Sequence, residues 1–101
     1  MNIVKKTEGT TLTVALEGRL DTVTAPNLEG ELRTAVNGIT ELIFDLKELS
    51  YISSAGLRVL LSAQKVMNRQ GSMRIQNVKP EIMDIFDVTG FVDILNIEAT
   101  D

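Results

Sequence analysis

A mixed α/β fold, with a sheet that is antiparallel at its N-terminal edge, is the class this sequence predicts. Three observations carry it. Two alternating stretches meet at a glycine turn near the N-terminus, a short apolar run occupies residues 42–46, and three segments of helical period interleave with the later strands. The predicted order is β-β-α-β-α-β-α-(β), with three to four helices.

Residues 2–7 alternate weakly and meet the turn Glu8-Gly9-Thr10. Residues 11–18 alternate cleanly, placing Leu12, Val14 and Leu16 on one face, so an opening β-hairpin is expected. Its first strand, carrying Lys5 and Lys6, suits a solvent-exposed edge. Gly18-Arg19-Leu20-Asp21-Thr22 ends the second strand and opens a loop. Asp21 and Thr24 are capping candidates for the helix begun by Ala25-Pro26, where proline loses no hydrogen bond; the plainer reading of Asp21 is a loop residue. Leu28, Leu32, Ala35 and Val36 then recur at helical spacing, and Gly38 is the expected C-cap.

Residues 40–46 read as a central strand, apolar on both faces as in a parallel sheet covered by helices. A right-handed crossover makes it parallel to the second strand, placing Asp21 and Asp45 near the carboxyl ends of parallel strands. The next helix carries Leu57, Leu60, Leu61, Gln64 and Met67 along one stripe, widened by Val59, Ala63 and Val66, and Gly71 stops it. Met73-Arg74-Ile75-Gln76 is a fourth strand. Pro80 starts a third helix with Ile82, Ile85, Phe86 and Val88 inward and Gly90 as its cap. Residues 94–97 are a candidate final strand, and residues 98–101 form a polar tail.

Composition removes many functions. One domain over residues 1–101 is the expectation for this length. Apolar content of 44% and charged content of 24% are those of a soluble globular chain, with no run long enough to span a bilayer and no signal-peptide pattern. A cytoplasmic location without membrane insertion is expected. The absence of cysteine removes disulfides and thiolate chemistry, and the absence of histidine removes the usual general base and metal ligand. A net charge of −4 with scattered basic residues argues against nucleic acid. Neither a metal nor a cofactor is expected. As an enzyme the chain is poorly equipped. A serine nucleophile needs a base, and Lys65 stands about 16 Å along the same helix from Ser54. Asp21 and Asp45 alone are a thin oxygen set for Mg²⁺, and no phosphate-binding Gly-x-x-x-x-Gly-Lys loop is present.

Residues 50–61 read Ser-Tyr-Ile-Ser-Ser-Ala-Gly-Leu-Arg-Val-Leu-Leu and place small residues and two hydroxyls at a helix start. Such a place has free backbone N–H groups and favours negative charge. One serine capping the helix is the plainer account, and no capping box follows either serine.

The chain resembles the STAS domain family, shared by anti-anti-sigma factors and the cytosolic tails of sulfate transporters. Four stretches carry the resemblance: Gly18-Arg19-Leu20-Asp21 with Thr24-Ala25, Leu42-Ile43-Phe44-Asp45-Leu46, Tyr51-Ile52-Ser53-Ser54-Ala55-Gly56-Leu57-Arg58, and Val88-Thr89-Gly90-Phe91. It implies a STAS-type sheet and an anti-sigma factor antagonist, not an enzyme. The family's loop reads Asp-Ser-(Ser/Thr)-Gly, and its serine after the aspartate is phosphorylated. Aligned on Gly56, that serine is Ser54, while Ser53 takes the aspartate position and stands as the second candidate. The resemblance also implies that Asp21 lies beside this loop. Partner contacts are expected at Asp21, Thr22, Ser53, Ser54, Ala55, Gly56 and Arg58, with Ala55 and Gly56 allowing close approach. The implied partners are an anti-sigma factor serine kinase of the GHKL type, which itself holds ATP, and a phosphatase. A free-standing STAS subunit of a transporter or other signalling complex is the alternative.

Overall fold

The computed structural model describes residues 1–98 of the 101-residue chain. In order its elements are β1 (Asn2–Glu8), β2 (Thr11–Leu20), α1 (Ala25–Ala35), β3 (Glu41–Ile52), α2 (Ser54–Gln70), β4 (Ser72–Gln76), α3 (Pro80–Thr89) and a 3₁₀ turn (Phe91–Asp93). The sheet order is β1-β2-β3-β4. β1 pairs antiparallel to β2, and β2, β3 and β4 run parallel, as the sequence predicts.

The strands β2, β3 and β4 advance across the sheet in one direction. Right-handed crossovers through α1 and α2 therefore leave both helices on the same face. Leu12, Val14, Leu16, Leu42, Phe44, Leu46, Met73 and Ile75 of the sheet join the inward residues of all three helices in one core. Among the described residues, helices consequently cover the central strand on one face only, contrary to the two-sided cover expected. Ile43 is well shielded but lies outside that core. It shares the opposite face with Thr13, Glu41 and Arg74.

β3 is longer than its apolar run. It continues to Ile52 because it carries one extra residue against β2 between Asp45 and Glu48, and another between Leu49 and Tyr51. These bulges turn the buried face, so Leu46, Leu49 and Ile52 point inward at intervals of three residues instead of two. Ser50 sits in the second bulge and donates its hydroxyl to the Gly18 carbonyl at 2.9 Å.

Elsewhere the corrections are local. Val36, not Gly38, caps α1, and Gly38 takes the positive φ of 77° in the turn that follows. Val88 is 87% exposed because it lies opposite the Ile82 and Phe86 stripe of α3. Residues 94–97 make a single parallel bridge, Ile75 with Ile97, not a strand. Of the expected polar tail, Glu98 pairs with Arg74, and residues 99–101 lie outside the described residues.

Gly71 ends α2 for a spatial reason. An added Cβ would stand 1.9 Å from the backbone oxygen of Thr40, where the chain enters β3. Gly71→Ala should therefore destabilise the fold by about 1–3 kcal/mol, read as a lower denaturation midpoint at unchanged slope. An unchanged midpoint would show that the two chain segments can separate freely.

Candidate functional site: the start of helix α2

The paired ends of β2 and β3 assemble this region. Leu20 pairs with Ile52, and the Ser53 amide then donates to the Leu20 carbonyl at 2.9 Å. The loop after β2 and the first turn of α2 are thereby held side by side. Gly56 presses into the joint: an added Cβ would meet Leu20 Cγ at 2.7 Å and Ile52 Cγ1 at 2.8 Å. Gly56 is buried, so its small size serves this interior contact rather than the approach of a partner.

The two serines have separate positions. Ser53 is the N-cap in extended conformation, and its Oγ accepts from the Gly56 amide at 3.3 Å. Its carbonyl accepts the Leu57 amide at 2.9 Å. Ser54 is the first helical residue and is exposed, with Ala55 half-buried behind it. Ser53 is thus occupied in starting the helix, while the Ser54 hydroxyl faces solvent beside the N-terminal end of the helix dipole.

The neighbouring loop is tied by its own polar groups. Asp21 Oδ1 accepts from the amides of Val23 at 3.0 Å and Thr24 at 3.1 Å. Thr24 Oγ accepts the Asp21 amide at 2.9 Å and donates to the Arg19 carbonyl at 2.8 Å. Although Thr24 occupies the N-cap position of α1, its side chain makes no capping bond. Asp21 therefore closes the turn instead of capping the helix. The Thr24 amide, then the Val23 amide, the Thr24 hydroxyl and Arg19 stabilise its carboxylate. They hold its pKa below the usual aspartate value against a smaller opposing effect of burial.

Sequence reasoning missed three members of this surface. Arg19 pairs with Tyr51 across the second bulge, and its guanidinium lies 4.3 Å from the centre of the Tyr51 ring. Its Nε is 3.7 Å from Asp21 Oδ2. Both residues lie within stretches that carry the family resemblance, but their pairing depends on a register shift that no local spacing reveals. Val23, 80% exposed at the tip of the loop, was likewise unremarked. Thr22 and Arg58 are exposed and line a shared groove with Ala55 and Pro26.

Asp45 does not join the site. Because β3 runs on to Ile52, Asp45 lies mid-strand opposite Ala15, where it accepts from the Lys47 amide at 3.0 Å and Asn77 Nδ2 at 3.1 Å. Asp21 is six residues beyond Ala15 on β2, about 20 Å along the strand, so the two carboxylates are not brought together. Among the described residues no cluster of three His, Cys, Asp or Glu side chains is placed to hold a metal ion.

Fold and site define a small α/β domain with a one-sided sheet and a serine-capped helix at its strand ends. The family model described as STAS domain matches residues 2–100, and the chain belongs to that family. It is 38% identical over 88 residues to the putative anti-sigma factor antagonist BtrV of Bordetella bronchiseptica, covering 85% of this chain and 76% of that protein. It is 31% identical over 100 residues to the anti-sigma-B factor antagonist of Bacillus subtilis, covering 98% of this chain and 92% of that one. The fold is also that of the anti-sigma factor antagonist SpoIIAA. Its unphosphorylated form superposes with a TM-score of 0.77 at 17% identity, covering 99% of this chain and 90% of that one. Its phosphorylated form, from Bacillus, gives 0.76 at 19% identity, covering 97% and 92%.

Removing the Ser53 cap should cost about 1 kcal/mol in Ser53→Ala, whereas Ser54→Ala should stay within about 0.5 kcal/mol of the parent. Chemical denaturation of the two variants compares them; equal losses would contradict the division of roles. The Asp21 turn should also respond to acid. A lowered folded-state pKa makes its stabilisation complete above the unfolded value, near 4, and lost as pH falls through the folded value. Amide exchange at Val23 and Thr24 should lose protection in that acid window, and Asp21→Asn should lose most of the acid dependence there.

Proposed function

We propose that this chain is an anti-sigma factor antagonist. Unmodified, it binds an anti-sigma factor serine kinase and so frees the sigma factor; phosphorylated on Ser54, it lets the kinase go. The observation that carries this reading is the separation of the serines: Ser53 is committed to capping, and Ser54 presents an exposed hydroxyl at the first position of α2. The names of the two relatives reported above support the antagonist role.

The chemistry fits the site. The kinase, holding ATP and Mg²⁺, transfers the γ-phosphoryl group to Ser54 Oγ, and ADP and the serine proton leave. A seryl phosphate brings about −1.5 to −2 charges at pH 7. The amide donors and dipole at the start of α2 can accept that charge without rearranging the fold. The consequence falls on the partner. A docked kinase would have to desolvate the phosphate, and an unpaired buried charge costs several kcal/mol, about a hundredfold or more in affinity. In this reading Asp21, Thr22, Ala55 and Arg58 form the surrounding contact surface, and Arg19, Tyr51 and Val23 extend it. A phosphatase resets the cycle. The chain itself performs no catalysis, and its place of action is the cytoplasm.

Incubation with anti-sigma factor kinases and ATP, followed by mass spectrometry, tests the proposal. Phosphate should appear on Ser54, disappear in Ser54→Ala and persist in Ser53→Ala. Ser54→Glu should bind the kinase at least tenfold more weakly than the parent. Label on another residue, or none with any cognate kinase, would sink it.

A further inference from the structure

We infer that the kinase-facing surface continues from Ser54 along the groove between α1 and α2, and that this groove takes an amphipathic helical segment of the same partner. The inference deepens the antagonist reading and rests on it. Near the start of α2 the groove is lined by Thr22, Pro26, Ala55 and Arg58. Farther along it is lined by Leu32, Val36, Val59 and Val66, enclosing about 310 Å³. Glu29, Val59 and Ser62 border both parts, so the groove is continuous with the surface around Ser54.

Its shape is set before any partner arrives. At the far end Gln70 Nε2, from the last turn of α2, donates to the carbonyls of Val36 at 2.8 Å and Ile39 at 2.7 Å. That side chain bonds the carbonyls of the α1 C-cap and of the connection that follows it, and so ties the end of α2 to the end of α1. At the near end the Ser53 amide is bonded to the Leu20 carbonyl, and the Asp21–Thr24 turn fixes the entry to α1. A groove pinned at both ends requires little ordering on binding, which favours affinity.

Length and charge describe the occupant. From Ala55 to Val66 α2 spans about 16 Å, the length of about three helical turns. Leu32, Val36 and Val59 supply an apolar floor, and Val66, 36% exposed, forms part of the wall. On the α1 rim Arg33 is paired with Glu29 at 3.4 Å, leaving the middle of the groove close to neutral. Arg58, at the mouth, has no ion-pair partner among the described residues. These features match a helix with an apolar stripe at i, i+3 or i+4 and i+7, and an acidic residue at the end nearest Ser54. A second copy of this chain fits poorly, because a two-fold contact would set one concave face against another.

The test uses the anti-sigma factor kinase that phosphorylates Ser54, with binding measured by calorimetry. Val66→Asp should weaken kinase binding about tenfold or more, by placing a carboxylate against an apolar stripe. Lys65→Asp, one residue away and outside the groove lining, should bind within about twofold of the parent. Ser62→Trp, which fills the waist of the groove, should reproduce the loss. Circular dichroism and thermal melting report whether each variant is folded. Parent-like binding by both folded groove variants would overturn the inference and leave the Ser54 switch standing. A parent dimer in sedimentation that Val66→Asp dissolves, with kinase binding unchanged, would assign the groove to a second copy and also overturn it. Failure of the parent chain to bind any such kinase would instead remove the antagonist reading, and the inference with it.

Discussion

The parallel pairing of β2 with β3, carried out to Leu20 opposite Ile52, is the constraint on which the rest depends. Without the last residues of that ladder, the Ser53 amide would not reach the Leu20 carbonyl. The β2 loop and the start of α2 would then be unrelated segments. The two bulges make the extension possible. Each adds a residue to β3, restoring the hydrogen-bond register after a polar stretch and bringing Leu49 and Ile52 back to the core. The buried Gly56 then lets α2 begin directly on this joint, where a methyl group would collide with Leu20 and Ile52.

The fold was legible in the sequence wherever one period governed one element. Alternation in β2, the inward stripe of α2 and the proline and glycine signals around α3 translate directly into the structure. Legibility ended where tertiary geometry changed the period. The continuation of β3 buries every third residue, a spacing that belongs to neither a regular strand nor a helix, so it extends beyond the strand expected over residues 40–46. The supposed two-sided cover of β3 failed for a related reason. Ile43 is shielded by its neighbours within the sheet face, and hydrophobicity alone does not say what does the shielding.

For the site, the residue types around Ser53 and Ser54 identified a helix start, but capping preference could not separate two adjacent serines. The extended backbone of Ser53 does so, because it directs Oγ toward the Gly56 amide. Asp21 was placed near the right elements with an incomplete role: its partners are the amides of its own turn. Arg19 and Tyr51 could not be paired from spacing at all. Asp45 was the opposite case, a residue of suggestive type that the longer strand removes from the site and commits to the backbone of Lys47 and the side chain of Asn77.

The open face of the sheet has its own consequence for packing design. With helices on one side only, the strands must hold their other side together without a second layer. Arg74 does this by joining Glu41 of the neighbouring strand to Glu98 beyond the sheet's last full strand. Gln76 adds a bond to Glu98 at 3.1 Å. This polar lattice works as a seam: it fastens the outermost chain segment laterally and leaves a wettable wall. Sheet-to-sheet stacking between molecules is thereby discouraged, because it would strip water from charges already matched within the chain.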